Sequence, residues 1–428
     1  MFPTRRITTM GGDKFRDEFS LAFDGTDDYV NCGHNSDFEF DNGSASLFHV
    51  SIWVKITGGT GSDDTFISKY DYGVNKREWR ISLNASQQLK CVFSSNGTAT
   101  ASAQTSSTLV QDRWYNIGLT YDGTQGTADN RCTIYLDGVI QTFSSAGTIP
   151  AQVNEDDAPL TISCMLSSGS ASGIPSINVS EVAIYDTFLS ASQVKTLYNG
   201  REPYNHKEGI ASGNLKAWWR MGDGRLDGSA QITGDTDDSP QDNIISDEVD
   251  SSLGAELYTP ANSMSTNEAD DTATGLTVND GTTVADETSI TNGSGRSLKY
   301  TASGVSDGVS IDLTSDIVLT AGSVYKVSVD ARHIGSGGLQ TIRLAEQALL
   351  GTDGETLEII DISNSMTTFV TYTAYFIHSN TTTRYFGARE QSGTDDGGLY
   401  LDNLSVRQVN GNAGIMNNMD YNFEGDTP

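Results

Sequence analysis

Between Ser20 and Asn199 the apolar positions recur with a period of two in one short segment after another, the spacing of half-buried β-strands. The segment SLAFDGTDDYVNCG (residues 20–33) joins an apolar alternation to Asp24-Gly25 turn chemistry and a second short apolar stretch. In SIWVKI, Ile52, Val54 and Ile56 share a face. Trp79, Ile81 and Leu83 do so in WRISL, and Tyr115, Ile117, Leu119 and Tyr121 in DRWYNIGLTYDG. Asp122-Gly123 and Asp137-Gly138 predict tight turns between antiparallel strands. After SEVAIYD the period changes. In LSASQVKTLYNG, Ser190 and Gln193 make a capping box, Val194, Leu197 and Tyr198 form a helical stripe, and Gly200 marks the end. The pattern predicts a two-sheet sandwich closed by one short helix.

A second β-rich stretch follows. VYKVSVDAR puts Tyr325, Val327, Val329 and Ala331 on one face, MTTFVTYTAYFIH and TTRYFGARE add two strands, and GLYLDNLSVRQV closes the unit. The acidic, turn-rich stretch between the two units, with GDTDDSPQDN inside it, lacks any apolar period and reads as a linker. The expected fold is all-β, two tandem antiparallel β-sandwiches (jelly rolls) with one short helix in the first. The expected boundaries are an N-terminal arm (1–18), a sandwich (19–222), an acidic linker (223–254), a second sandwich (255–409) and a tail (410–428). The tail NGNAGIMNNMDYNFEGDTP matches the DDSPQDN region in style, so the second sandwich is expected to be an insertion after which the chain rejoins the first.

Composition narrows the function classes. The 428 residues suffice for two or three domains, and 44 glycines against 8 prolines suit a loop-rich β protein. A net charge of −30 excludes nucleic-acid binding and binding to anionic membranes, which need clustered Lys and Arg. No apolar run reaches the roughly 20 residues a membrane helix needs, so no membrane insertion is expected. MFPTRRITTMGGDKF has no apolar segment after its arginines, which argues against a secretory signal and for folding in a cytoplasm. Cys32, Cys91, Cys132 and Cys164 form no CxxC pair and read as reduced, buried residues, with two disulfides as the alternative outside a cell. His34, His49, His206, His333 and His378 show no metal-ligand spacing.

Five ordered segments, FDGTDDYV, SIWVK, DRWYNIGLTYDG, IYLDGV and VSEVAIYDTFLSASQVKTLYNG, resemble the concanavalin A-like, laminin G-like jelly-roll family. The resemblance implies a rim that binds calcium or ligand, through Asp24, Asp27, Asp28 and Asp137. Ser180 departs from the family, which often has Asp there. The order GSVYKVSVDARH, FVTYTAYF, YLDNLSV, over about Leu257 to Val409, resembles the β-sandwich carbohydrate-binding modules with a galactose-binding-like jelly roll. That resemblance implies a structural calcium at Asp402 and sugar stacking on exposed aromatics. No tryptophan falls in this unit, so Tyr258, Tyr300, Tyr372, Tyr385 and Tyr400 are the candidates there, with Trp218 of LKAWWRMGDG ahead of it. Calcium is the one cofactor expected.

Catalytic signatures fail together. Glycosidases of the first sandwich type carry Glu-x-Asp-x-x-Glu on one strand, and that spacing is absent, as are a P-loop and HExxH. The expectation is a protein that is not an enzyme. MGGDKFRDEFSLAFDGTDDYV, LKAWWRMGDG and NNMDYNFEGDTP resemble structural proteins of tailed bacteriophages, particularly marine ones. The leading expectation is therefore a virion structural protein at the particle surface: a head decoration, head fibre or tail-associated adhesin. It would be homo-oligomeric, often trimeric in such proteins, with a host-surface glycan as partner. The basic arm (Arg5, Arg6, Lys14, Arg16) would dock it onto capsid or tail proteins. The alternative is a secreted or cell-surface carbohydrate-binding protein, extracellular and outside any virion; a polysaccharide hydrolase ranks third.

Overall fold

The structure, a computed structural model, describes residues 15, 17–40, 43, 45–59, 61, 63–224, 228–229, 243–250, 252–258, 276–278, 282–293, 297–304, 307–313, 317–345, 356–378, 385–392, 397–417, 419 and 423–428. The alternating segments are strands and their apolar faces meet inside. Ile52, Val54, Ile56, Trp79, Ile81, Leu83, Tyr115, Ile117, Leu119 and Tyr121 are all buried in one core. Aromatic rings fill its centre: Phe48 stacks on Tyr121 at 5.0 Å and meets Trp79 at 5.6 Å.

Two sheets enclose this core. One runs, in spatial order, through strands 139–140, 132–136, 114–122, 47–56, 176–185, 20–24 and 423–424, with 215–219 also on 176–185. The other runs through 143–146, 100–108, 88–94, 76–84, 63–71, 160–162, 29–31, 414–417, 243–245 and 228–229. Asp137 (φ 50°) and Gly138 (φ 71°) both occupy the left-handed region between paired Leu136 and Val139, as a two-residue hairpin requires. The helix is Ala191–Tyr198; the Ser190–Gln193 capping box forms, Val194 and Leu197 are buried, and Asn199 (φ 51°) ends it.

The sandwiches are nested. Ile244 pairs with Ile415 and Val30 with Met416, while Leu21 pairs with Phe423, so both sheets of the first sandwich are completed by the last strands of the chain. Within 223–254, expected to be a linker, Asn243–Ile245 is a strand of the second sheet. Three residues are too few to display a period, yet Ile244 and Ile245 are fully buried. Asp247, also buried, fastens the point where the chain leaves and returns. Its Oδ1 accepts the backbone N–H of Trp218 and Val249 (both 2.9 Å), and its Oδ2 accepts the N–H (3.0 Å) and Nδ2 (3.3 Å) of Asn412.

The second sandwich lies between these paired strands. One sheet orders 283–287, 297–302, 397–409, 324–333 and 370–377, with 253–256 also on 397–409; the other orders 276–278, 308–312, 385–392, 339–345 and 356–362. Tyr325, Val327, Val329 and Ala331 point into its core, as their alternation predicts. The two bodies touch through Ile244, Ala413 and Ile415 against Val324, Tyr375 and Val409. Gly322 (φ 78°) lies against the turn at His34, where a Cβ would stand 2.5 Å from the His34 carbonyl oxygen. All four cysteines are buried and unpaired.

Candidate functional site

The strand Ser176–Tyr185 changes partner halfway. Ile177–Val179 pair with 20–24 and Val182–Tyr185 with 215–219, and the register against 47–56 breaks between Ser180 and Ala183. Glu181 sits in that bulge at φ 46°, a left-handed conformation rare for a buried non-glycine residue. Its carboxylate fills the gap between the two partner strands, where Trp218 Nε1 donates to Oε2 (2.5 Å) and Arg220 Nε to Oε1 (3.1 Å). Asp17 enters from the N-terminal strap: Ser180 Oγ donates to its Oδ1 (3.0 Å), while its enclosed Oδ2 meets no N–H or O–H donor among the described residues and Glu181 lies within hydrogen-bonding reach. Two acids thus share one guanidinium. Burial pushes the Asp17 carboxyl up to about 7 and Glu181 well above the usual carboxylate range, so the pair retains a proton at neutral pH.

The strap is held from several sides. Arg220 lies 4.4 Å over the Phe15 ring, Phe15 stacks on Trp218 at 5.8 Å, and Asp223 Oδ2 accepts the N–H groups of Glu18 (2.7 Å) and Phe19 (2.9 Å). Beside it opens a cavity of about 580 Å³, lined by Phe15, Asp17, Glu18, Glu202, Tyr204 and Asn205 among others. Trp218, expected among the ligand contacts, is 3 % exposed under Phe15 and His206, and its indole N–H is committed to Glu181. Asp17 and Glu181 stand closer than the roughly 5 Å that separates the two carboxyls of a retaining glycosidase, and Glu181 is sealed from solvent.

The second sheet carries a different surface at its edge. Leu89, Cys91 and Ala103 face the core, so Gln88 and Gln104 face outward. Gln104 Nε2 donates to Gln88 Oε1 (2.9 Å), Asn84 Nδ2 donates to the same oxygen (3.3 Å), and Ser106 and Thr142 join their hydroxyls at 3.3 Å. Gln88, Gln104, Ser106 and Thr142 line, with Thr105, Phe143 and Ser144, a groove of about 290 Å³ that has no carboxylate among its described lining residues. The amides present donors and acceptors at a fixed spacing, and Phe143, half-buried, offers apolar surface beside them.

The expected metal ligands fall in three places. Asp24, Asp27 and Asp28 come together on the loop after strand 20–24, each offering an oxygen within 4.8 Å of the others. Asp28 Oδ2 accepts the Asp24 N–H (2.8 Å) and Asp24 Oδ1 the Thr26 N–H (2.6 Å); Asp24 and Asp27 are exposed and Asp28 is buried, and carboxylate oxygens gathered this closely are ligands of the kind a hard cation takes. Asp137 does not join them; it pairs with Arg113 Nη2 (2.6 Å) and accepts the Asn116 N–H (3.0 Å), work that a hairpin-turn carboxylate commonly does. Asp402 is fully buried in the second sandwich and accepts the N–H groups of Asn292 (2.6 Å) and Asn403 (2.8 Å). Asp330 beside it accepts both of those asparagine amides.

Among the tyrosines, Tyr300, Tyr372 and Tyr400 are buried, and Tyr258 packs partly buried against the second core. Tyr385 is half-buried opposite Asp312 at the start of its strand. Arg5, Arg6, Lys14 and Arg16 lie outside the described residues. Sequence reasoning missed Asp17, Glu181 and Arg220, and also the amide groove. One signal for Glu181 was available: the inward residues Ile177, Val179, Val182 and Ile184 step by two, three and two, which marks one extra residue at the bulge.

Residues 24–195 match the family described as the concanavalin A-like lectin/glucanases superfamily. No match was found among curated proteins. Solved structures similar to parts of the chain include a candidate carbohydrate binding protein from Bacteroides ovatus, at 14% identity and TM-score 0.37 over 54% of this chain and 56% of that one. The chain therefore spans little more than half the length of that protein. Others are the heptameric SAP-like pentraxin from Limulus polyphemus (12%, 0.32, over 42% and 82%) and the CBM22-1 xylan-binding domain from Paenibacillus barcinonensis Xyn10C (14%, 0.28, over 37% and 96%). The family match covers about two-fifths of the chain and falls within the first sandwich.

Proposed function

We propose that the protein is a non-catalytic glycan-binding protein whose first sandwich holds a neutral saccharide in the groove of Gln88, Gln104, Ser106, Thr142 and Ser144. The groove carries this reading: a ladder of side-chain amides and hydroxyls beside one aromatic ring suits sugar hydroxyls and a sugar's apolar face. Its lining supplies no acid to protonate a glycosidic oxygen, which favours binding over hydrolysis. Titration calorimetry against neutral β-glucan and xylan oligosaccharides tests it. Gln104→Ala should weaken binding by about tenfold, the value of one well-made hydrogen bond to a buried polar partner, with no release of reducing ends. Unchanged affinity in that variant, or turnover of the glycan, would sink the proposal.

The setting proposed for this binding is a bacteriophage particle surface, with the chain as a homo-oligomeric appendage and the basic arm as its anchor. The support is the resemblance of the quoted sequence segments. The competing setting is a secreted or cell-surface carbohydrate-binding protein. Mass spectrometry of purified particles separates the two, because only the first places the chain there at a fixed ratio to the capsid subunit.

A further inference from the structure

We infer that the cavity between the N-terminal strap and the loop after the helix is a second binding site, on the sheet opposite the amide groove, for a ligand bearing a primary ammonium group next to an apolar face. At about 580 Å³ the cavity lies within the range of small-molecule sites. Three carboxylates, Asp17, Glu18 and Glu202, converge on it together with the rings of Phe15 and Tyr204 and the amide of Asn205, and no lysine or arginine lines it among the described residues. The Arg220 guanidinium is already committed: its Nε serves Glu181 Oε1, its Nη1 the Asp223 carbonyl (3.2 Å), and its plane lies over Phe15. The cavity wall is therefore left anionic, with aromatic faces beside the charge, the combination that recognises ammonium groups.

Asp17 adds charge to the wall. Its Oδ2 is sealed from solvent beside Glu181, so an ammonium in the cavity acts on the Asp17 carboxylate through its charge rather than through that oxygen. The groups that face Asp17 are Ser180 and Glu181 on their strand, Arg220 and Asp223 on the following segment, and the Thr427 hydroxyl, which donates to the Asp17 carbonyl. Across the cavity stand Glu202 and Tyr204. Burial and the Asp223 charge raise the acid's affinity for its proton, hydrogen bonds with Ser180 and Glu181 and the Arg220 charge lower it, and a bound cation displaces that proton. Binding is thus linked to proton release, and affinity rises as pH passes through about 7, where Asp17 titrates.

The test uses the full chain and three probes: a glucosamine trisaccharide, its fully N-acetylated counterpart and cadaverine. Fluorescence of Trp218, which stacks on Phe15 at the cavity wall, serves as readout. The expected result is binding of the free-amine trisaccharide at least about tenfold tighter than of the acetylated one. Glu202→Gln at the exposed rim and a rise from about 50 to about 500 mM salt should each weaken it. Cadaverine, whose amines stay charged, should bind more tightly at about pH 8 than at about pH 6. A preference for the trisaccharide over cadaverine assigns the site to amino sugars, and the reverse assigns it to polyamines. Equal binding of the two trisaccharides, or no binding of either amine by a protein with an unchanged circular-dichroism spectrum, overturns the inference. Gln104→Ala, in the groove on the other sheet, must leave this binding intact, so either proposal can fail alone.

Discussion

Replacing Asp17 by Asn should make the protein less sensitive to alkaline pH. In the folded chain the Asp17 carboxyl is raised to about 7, by burial first and the Asp223 charge second, against 3.8 when exposed. The folded state therefore holds a proton that the unfolded chain has lost between those values, and stability falls as pH climbs from about 4 to about 7. A gap of that size converts to about 4 kcal/mol. Asp17 keeps partial contact with solvent, so about half of that, roughly 2 kcal/mol, is a fair expectation. Asparagine preserves the acceptor for Ser180 Oγ, can donate its amide to Glu181, and leaves Glu181 alone with Arg220, a balanced pair. The variant and the parent should melt alike near pH 4.5. At pH 8 the variant should melt higher by about 4–8 °C, the shift that roughly 2 kcal/mol produces in a body of about 200 residues. Thermal melts by circular dichroism at the two pH values decide the matter. A difference that is the same at both would refute the shared-proton account of Asp17 and Glu181.

Three further outcomes follow from the geometry. Asp247→Ala strands the N–H groups of Trp218, Val249 and Asn412 and should cost about 3–5 kcal/mol, read as a lowered urea midpoint by tryptophan fluorescence; a loss below about 1 kcal/mol would contradict the clasp. Lys69 is fully buried, with its ammonium on Glu78 and on the Asp156 carbonyl (2.6 Å), so Lys69→Ala should cost about 3–5 kcal/mol by the same measurement, whereas Lys69→Met combined with Glu78→Leu should restore most of it. If the Asp24, Asp27 and Asp28 loop holds calcium, millimolar Ca²⁺ should raise the melting temperature, by up to about 2.7 kcal/mol of stabilisation at a hundredfold excess over Kd, and Asp27→Asn should abolish the response; no calcium-dependent shift in the parent refutes that site.

What the sequence makes legible is whatever depends on period and local turn chemistry. Ile52, Val54 and Ile56 announce their buried face because a strand alternates, Asp137-Gly138 announces its hairpin because both positions need left-handed backbone, and Ser190 with Gln193 announces a helix start. The site residues are less legible because tertiary contacts make them. Adjacent Trp218 and Trp219 must face opposite ways, but nothing local says that Phe15 and His206 cover the first while the second fills the core. Asp17 and Glu181 are neighbours only because the strap folds against a bulge far along the chain. Asp137 shows the reverse error: its turn position was read correctly, but Arg113, from the preceding strand end, claims its charge.

The pairing of residues 414–417 with strands 29–31 and 243–245 also sets a clock. During synthesis, strand 29–31 leaves its outer side open until everything between Ile245 and Gly414, the second sandwich included, has been made. At about 5–20 residues per second that interval is on the order of ten to thirty seconds. Throughout it the nascent chain carries an unpaired sheet edge with Val30 and Cys32 at its border. The first domain to be translated is the last to close, so its earliest-made half must survive, unfinished, the folding of its own insert.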